Sequence, residues 1–179
     1  MPRLSEVSRD DLSPENQKAY DAIVASRGEV RGPFAAIMHS PDLAGRVAHV
    51  GTYVRFETTV PKAPLELAIL TIARHWDAHY EWNAHEIQAK EAGVRIEAIS
   101  AIGNRTAPAG LTDAEALTVK FAKELLEYHK VSDTTFNAVK DKLGVQGVTD
   151  LTVTVGYYSM ISCVLNGMEM LPEKSTLPA

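Results

Sequence analysis

Thiols and clustered basic side chains are the features that this sequence has least of. The 179 residues include a single cysteine, Cys163, so neither an internal disulfide nor a two-thiol redox pair can form. Asp and Glu number 23 against 18 Lys and Arg, which gives a formal net charge of -5. No run of Lys or Arg occurs, so the electrostatic footprint of a nucleic-acid-binding protein is missing. We therefore expect no nucleic-acid partner.

Long apolar runs are missing as well. None approaches the roughly 20 residues that a helix needs to cross a bilayer, and the polar, acidic first 15 residues do not resemble a signal or transit peptide. Hydrophobic residues make up 45% and charged residues 23% of the chain, which is an ordinary globular balance. We expect a soluble cytoplasmic protein without a membrane partner, folded as one domain over residues 1–179.

Helix signals are frequent along the chain, whereas strand signals are rare. Ser13-Pro14 and Ser40-Pro41 each combine an N-cap with a first-turn proline, and Thr112 with Glu115 forms a capping box. Together with apolar positions at helical spacing, these signals predict helices over about 14–27, 41–58, from 64 through 72, 78–92, 95–102, 112–129, 132–144 and 149–168. The fold class predicted is all-α, with about seven to eight helices.

The last of these segments also carries a competing signal. Residues 151–155 alternate and are β-branched, which favours a strand, but roughly 20 unbroken residues are too many for a typical strand. Helical spacing of the apolar side chains favours a helix with a wide apolar girth, buried in the core or against another subunit. We expect the tail after Pro172 to be disordered or exchanged between subunits.

Residues 66–85 carry the side chains best suited to chemistry. Glu66 lies in an apolar helical turn, and Glu81 and His85 are four residues apart, so their side chains share a helix face. A carboxylate among apolar and aromatic neighbours tends to have a raised pKa, and a neighbouring histidine can relay protons near neutral pH. The alternative is structural, with a solvated Glu–His pair and Glu66 placed for the helix dipole.

Metal binding is a further alternative for this segment. His75 and His79 are four residues apart, as are Glu81 and His85, and either pair has a spacing that suits zinc or iron. The four side chains do not fall on one helical face, however, and no HExxH motif is present. We therefore expect no metal.

Two residues outside this segment are candidates for substrate binding. His39 precedes a helix start, where its alternative role is capping or packing. Arg55 lies near a helix end, where it can pair with Glu57, contact the C-terminal dipole or grip a substrate carboxylate with its guanidinium fork.

The chain resembles the carboxymuconolactone decarboxylase family, within the alkylhydroperoxidase AhpD-like superfamily, over about residues 32–166. The block from Glu66 to His85 is the most specific part of the resemblance. The segments that carry it are Gly32-Pro33-Phe34, His39-Ser40-Pro41, Gly51-Thr52-Tyr53-Val54-Arg55-Phe56, Glu66-Leu67-Ala68-Ile69-Leu70, Tyr80-Glu81-Trp82-Asn83-Ala84-His85, Gly156-Tyr157-Tyr158 and Leu165-Asn166.

The resemblance implies an all-α homo-oligomer, a trimer or a hexamer built from two trimers, with active sites near subunit interfaces. In the peroxidase branch of the superfamily, this block holds Glu, then Cys-x-x-Cys, then His after three more residues. The two cysteine positions are Ala78 and Glu81 here, so the resemblance implies that the dithiol activity is lost, because no thiolate is present to carry it.

The resemblance also implies a set of site residues and a type of reaction. The set comprises catalytic Glu66, Glu81 and His85, substrate-binding His39, Arg55, Tyr80 and Trp82, and neither a metal nor a cofactor. We expect a lyase of aromatic-compound catabolism that decarboxylates or isomerises a small anionic lactone or unsaturated acid by acid–base chemistry. The alternatives are a non-catalytic oligomer that binds a small acid, and a peroxidase-related protein without dithiol activity.

Overall fold

The computed structural model describes residues 2–179, which form eight α-helices and, within that range, no strand. An all-α fold with about seven to eight helices is therefore confirmed. A 3₁₀ turn at Arg9–Asp11 precedes the helices, and a π-helical turn at Tyr53–Glu57 follows α3. The helices are α1 Pro14–Arg27, α2 Pro33–Ile37, α3 Pro41–Thr52, α4 Lys62–His75, α5 His79–Glu91, α6 Ile96–Gly103, α7 Asp113–Tyr128 and α8 Asp133–Gly167.

The predicted helix starts agree with the structure where a cap or proline sets them. The Ser13 side chain accepts a hydrogen bond from the Asn16 amide, and Thr112 with Glu115 forms the predicted capping box. The predicted α4 began two residues late, at Pro64, because proline suits any position in the first turn. Pro61 is the N-cap and Lys62 the first helical residue.

The two predicted C-terminal helices are joined as α8, with a break at Gly144. This residue has φ 74° and ψ 176°, inside an otherwise helical segment. The alternating residues 151–155 are helical, as expected from the length of the segment. An 18-residue window of α8 has a mean hydropathy of 1.3, enough by length and composition to cross a membrane, but 56% of the window is buried within the protein. The core helix of a soluble protein passes the same test.

The chain divides into two compact units, so the single domain expected from the length remains a prediction. One unit contains residues up to Glu57 together with Cys163–Leu171, and in it α1 and α2 pack against α3. The Arg27 guanidinium lies 4.4 Å from the centre of the Phe34 ring in this unit, a distance suited to a cation–π contact.

The second unit contains Thr58–Ser162 and Pro172–Ala179. Helix α4 is central to it, because α5, α6 and α7 all pack against α4. Every residue of α4 from Pro64 to Arg74 is buried, so this helix has no solvated face along most of its length. A glutamate in its middle is therefore forced into the interior, and it needs partners there.

The C-terminal segment packs against α5, so the expectation of a disordered tail is wrong, while its alternative, a tail exchanged between subunits, remains a prediction. The Asn83 side-chain amide donates to the Lys174 carbonyl (2.6 Å), and its oxygen accepts from the Thr176 amide (2.9 Å). Leu177 is buried in the hydrophobic cluster that includes Trp82. The hydrogen bonds of Asn83 to the tail backbone and the burial of Leu177 hold the segment in place. Neither produces a helix or strand pattern in the sequence.

Replacement of Asp150 by Ala tests how the start of α4 is held. The Asp150 carboxylate, buried in α8, accepts hydrogen bonds from the Thr58 hydroxyl (2.9 Å), the Thr59 amide (2.9 Å) and the Thr59 hydroxyl (3.2 Å). Loss of the acceptor leaves three partly buried donors without their partner, so we expect Asp150→Ala to lower the free energy of unfolding by about 1 kcal/mol, measured by urea denaturation. Asp141→Ala, at an exposed aspartate of the same helix, is the control. Equal urea midpoints for Asp150→Ala and Asp141→Ala would show that the Asp150 hydrogen bonds do not stabilise the start of α4.

Candidate acid–base site

The imidazole of His85 lies between two carboxylates in the second unit. Its Nδ1 is 2.6 Å from Glu66 Oε2, and its Nε2 is 3.2 Å from Glu81 Oε2. The side chains of Glu66, His85 and Glu81 are 0%, 4% and 8% exposed. The structure therefore brings together the three residues that the sequence proposes as the acid–base group, and it buries all of them.

Helix geometry explains this arrangement. Glu81 and His85 are one turn apart on α5, and α5 packs against α4, so their shared face reaches the buried Glu66. The Tyr158 ring of α8 meets the imidazole edge-to-face, with ring centres 4.9 Å apart and an interplanar angle of 88°. Both nitrogens of the imidazole have a carboxylate partner and its ring contacts Tyr158, which fixes its orientation.

A fourth charged group belongs to the cluster. The Lys62 Nζ is 2.7 Å from Glu66 Oε1, and its side chain is 43% exposed, against 0% for Glu66. Sequence reasoning missed this residue, although its spacing of four from Glu66 is a detectable signal. Nothing local in the sequence indicates that Tyr158 meets His85.

The electrostatics of the cluster differ from the sequence expectation. Burial tends to raise the pKa of Glu66, but hydrogen bonds and charges from His85 and Lys62 outweigh it, and the pKa is lowered. Burial likewise opposes the imidazolium, but Glu66 and Glu81 outweigh it and raise the pKa of His85. The expected rise for a carboxylate among apolar neighbours is therefore wrong for Glu66, because cationic partners reach it.

The sign of each shift sets a pH window for stability. The lowered pKa of Glu66 gives stabilisation that is present above the ordinary value of 4.5 and is lost as pH falls through the folded value. The raised pKa of His85 gives stabilisation that is present below 6.5 and is lost as pH rises through the folded value. Both contributions are complete between these two ordinary values.

Two predicted substrate-binding residues lie on the same helix as the cluster. Trp82 is fully buried, in the hydrophobic cluster that contains Leu67, Leu70 and Leu177, and Tyr80 is half-buried. Packing in the hydrophobic core is enough to explain the burial of Trp82. A role for Trp82 and Tyr80 in excluding water from the site remains a prediction.

The other two predicted substrate-binding residues belong to the first unit. The exposed His39 has its Nε2 2.9 Å from the Ser5 carbonyl oxygen. The Arg55 guanidinium lies 5.2 Å from the centre of the Phe56 ring, within the π-helical turn. Helical segments with π geometry are frequent at functional sites, but the grip of Arg55 on a substrate carboxylate remains a prediction.

The candidate metal ligands and the single thiol form no metal-binding group in the part of the chain that the structure describes. Within residues 2–179, no group of three His, Cys, Asp or Glu side chains is arranged to hold a metal ion. His79 Nδ1 instead lies 2.6 Å from the Ser175 hydroxyl, and the unpaired thiol Cys163 is exposed.

Comparison with known proteins identifies the fold. No family model matches the chain, and no curated protein sequence matches it. Among solved structures, the chain is similar to an alkylhydroperoxidase AhpD core, an uncharacterised peroxidase-related protein from Ralstonia eutropha JMP134. The two share 14% sequence identity and a TM-score of 0.80, over 97% of this chain and 93% of that one. The chain therefore has an AhpD-like all-α fold.

Nuclear magnetic resonance titration of His85 tests the electrostatics of the cluster. We expect the imidazole to titrate above pH 6.5, and Glu66→Gln to lower its midpoint by about 1–3 units, because a neighbouring carboxylate stabilises the charged form by that amount. Glu97→Gln, at an exposed glutamate of α6, is the control and is expected to leave the midpoint unchanged. An unchanged midpoint in Glu66→Gln would show that the two side chains do not interact in solution.

Proposed function

We propose that this protein is a cofactor-independent acid–base enzyme of the carboxymuconolactone decarboxylase type. The observation that carries the proposal is the buried imidazole of His85, held between the carboxylates of Glu66 and Glu81. An imidazolium in this setting has a transferable proton; its two carboxylate partners stabilise the charged form, and a solvent proton restores that form after transfer. Such a group moves protons and needs no electron carrier.

Decarboxylation of an unsaturated lactone acid suits this equipment. When the bond to the carboxylate breaks, carbon dioxide leaves and the bonding electron pair passes through the alkene to the lactone carbonyl, which gives a dienolate. Carbon then takes up one proton, so one solvent proton is consumed for each carbon dioxide released. The enzyme has to orient the anion, stabilise the enolate oxygen and deliver the proton.

We assign the last two of these tasks to the α5 face of the cluster. Both imidazole nitrogens of His85 are engaged, and Glu81 is the most exposed of the three buried side chains. Glu81 therefore meets the substrate and passes on the proton that His85 supplies, while Glu66 orients His85. The surrounding apolar side chains keep the local dielectric low, which strengthens each charge interaction.

Arg55 is proposed as the anchor for the substrate carboxylate, with His39 in support, because a guanidinium binds carboxylates through two parallel hydrogen bonds. We also propose a homotrimeric or hexameric assembly in the cytoplasm, as in the family that the sequence resembles.

A panel of lactones and unsaturated acids tests the acid–base function. Turnover is measured by carbon dioxide release and by incorporation of solvent deuterium into the product. We expect Glu81→Gln and His85→Gln to lower kcat by about 10²–10⁴-fold, the usual cost of a lost acid–base group. His49→Gln, at an exposed histidine, is the control. Full activity in both site variants on a substrate that the wild type turns over would reject the assignment.

Peroxide reduction is the rival activity, and the peroxidase-related description of the structural neighbour favours it. The two cysteine positions of the peroxidase motif are Ala78 and Glu81 here, and Cys163 is the one thiol in the sequence. We expect Cys163→Ser to leave any hydroperoxide consumption, followed in a coupled assay, unchanged. Loss of hydroperoxide consumption in this variant would favour peroxidase chemistry over the acid–base function.

A further inference from the structure

Lys62 is by far the most exposed member of the charged cluster. Its Nζ lies 2.7 Å from Glu66 Oε1, while the other oxygen of the same carboxylate, Oε2, lies 2.6 Å from His85 Nδ1. Each oxygen of Glu66 therefore has its own cationic or proton-bearing partner. The Lys62 side chain is 43% exposed, and the next three groups in the series are almost fully buried.

Helix stability does not account for a lysine at this position. Lys62 is the first residue of α4, where the positive end of the helix dipole disfavours a cation. Its partner lies four residues towards the C-terminus, which is the weaker orientation for a lysine–glutamate pair on a helix. A hydrophobic residue in place of Glu66 would fill the interior without a buried charge. The Lys62–Glu66 pair is thus better explained by a role in the acid–base cluster than by the stability of α4.

The charges of the cluster balance only when Lys62 is included. Carboxylates at Glu66 and Glu81 and an imidazolium at His85 sum to one negative charge, which Lys62 neutralises. We propose that Lys62 is a positioning residue of this site, whose ammonium group holds Glu66 as a carboxylate and thereby keeps the transferable proton on His85. This inference deepens the proposed function, because it assigns the residue that sets the charge state of the acid–base group.

The groups that face the cluster from the packed helices are few. From α5, His85 contacts Glu66 directly, and Glu81 acts through His85; from α8, Tyr158 contacts His85. The charged groups that act on Glu66 are His85 and Lys62. On the other neighbouring helices, several charged side chains are engaged elsewhere or exposed: Glu115 caps α7, Glu124 bonds Ser132 and Thr135, Lys120 pairs with Glu124, and Glu97 of α6 is exposed.

The test compares Lys62→Met and Lys62→Arg in the full-length protein, with ¹³C resonances reporting the Glu66 carboxyl and ¹⁵N resonances the His85 imidazole. Without the ammonium group, the pKa of Glu66 rises, so we expect its titration in Lys62→Met to move up by about half a pH unit or more. Below that midpoint Glu66 is neutral, so the His85 imidazolium has lost one of its two anionic partners. Lys62→Arg keeps the charge and is expected to restore the wild-type titration.

Lys90→Met is a matched control. The Lys90–Glu86 pair is also a four-residue helix pair at 2.7 Å, and its lysine is 45% exposed, but the Glu86 carboxylate is bonded to Lys90 and Thr176 and not to the cluster. We expect this variant to leave both resonances unchanged. If Lys62→Met does not fold, Lys62→Gln replaces it.

The outcomes separate this inference from the proposed function. An unchanged Glu66 titration in a folded, neutral Lys62 variant overturns the role of Lys62, whether or not a substrate is known. A shifted titration in a protein that turns over none of the lactones or unsaturated acids supports the role of Lys62 and counts against the proposed function. Where a substrate is turned over, the acid limb of the pH profile of kcat/KM shifts upward with the Glu66 titration, and Lys62→Arg reverses the shift.

Discussion

The hydrogen bond between His85 and Glu66 is the interaction on which the second unit depends. A carboxylate with no exposed surface is costly in a protein interior unless charged partners and hydrogen bonds satisfy it. Glu66 is placed in that position because α4 is covered by three helices. Burial of Glu66 makes this hydrogen bond necessary. Burial also strengthens the bond, because the apolar surroundings have a low dielectric constant and weaken the attraction between the two groups less than water would. Structure and candidate chemistry therefore depend on one contact of 2.6 Å.

The burial of α4 also explains how the site is held in place. The start of the helix is fixed by the Asp150 carboxylate, which accepts from Thr58 and Thr59. Helix α5, which carries Glu81 and His85, is clamped on its other face by the C-terminal segment through Asn83. Both supports act outside the acid–base cluster. They hold the two helices whose spacing sets the distances within it, as a site of fixed geometry requires.

Local signals predicted those parts of the fold that depend on neighbouring residues. Serine and proline at helix starts, the capping box at Thr112 and the spacing of Glu81 and His85 each act within one or two turns, so they are readable in the sequence. The contact of Glu66 with His85 could be proposed from a resemblance, but its distance and burial depend on how α4 and α5 pack. The contacts of Asn83 with the C-terminal segment and the approach of Tyr158 to His85 also depend on residues distant in sequence, and no local pattern indicates them.

The charge state of the cluster has a consequence for the proposed reaction. Lys62, Glu66, His85 and Glu81 carry no net charge when the proton is on His85, and a monoanionic substrate adds one negative charge. Loss of carbon dioxide leaves that charge on the enolate, and proton transfer moves it from the enolate to the cluster. The total charge in the low-dielectric interior stays at one negative unit through both steps, so neither step requires the interior to accommodate additional charge.

A solvent proton then restores the starting state, and the half-exposed Lys62 is the most exposed group of the cluster. Under the proposed function, a neutral site accepts an anion and returns a neutral product, and without Lys62 the cluster would start one charge more negative, which disfavours an anionic substrate.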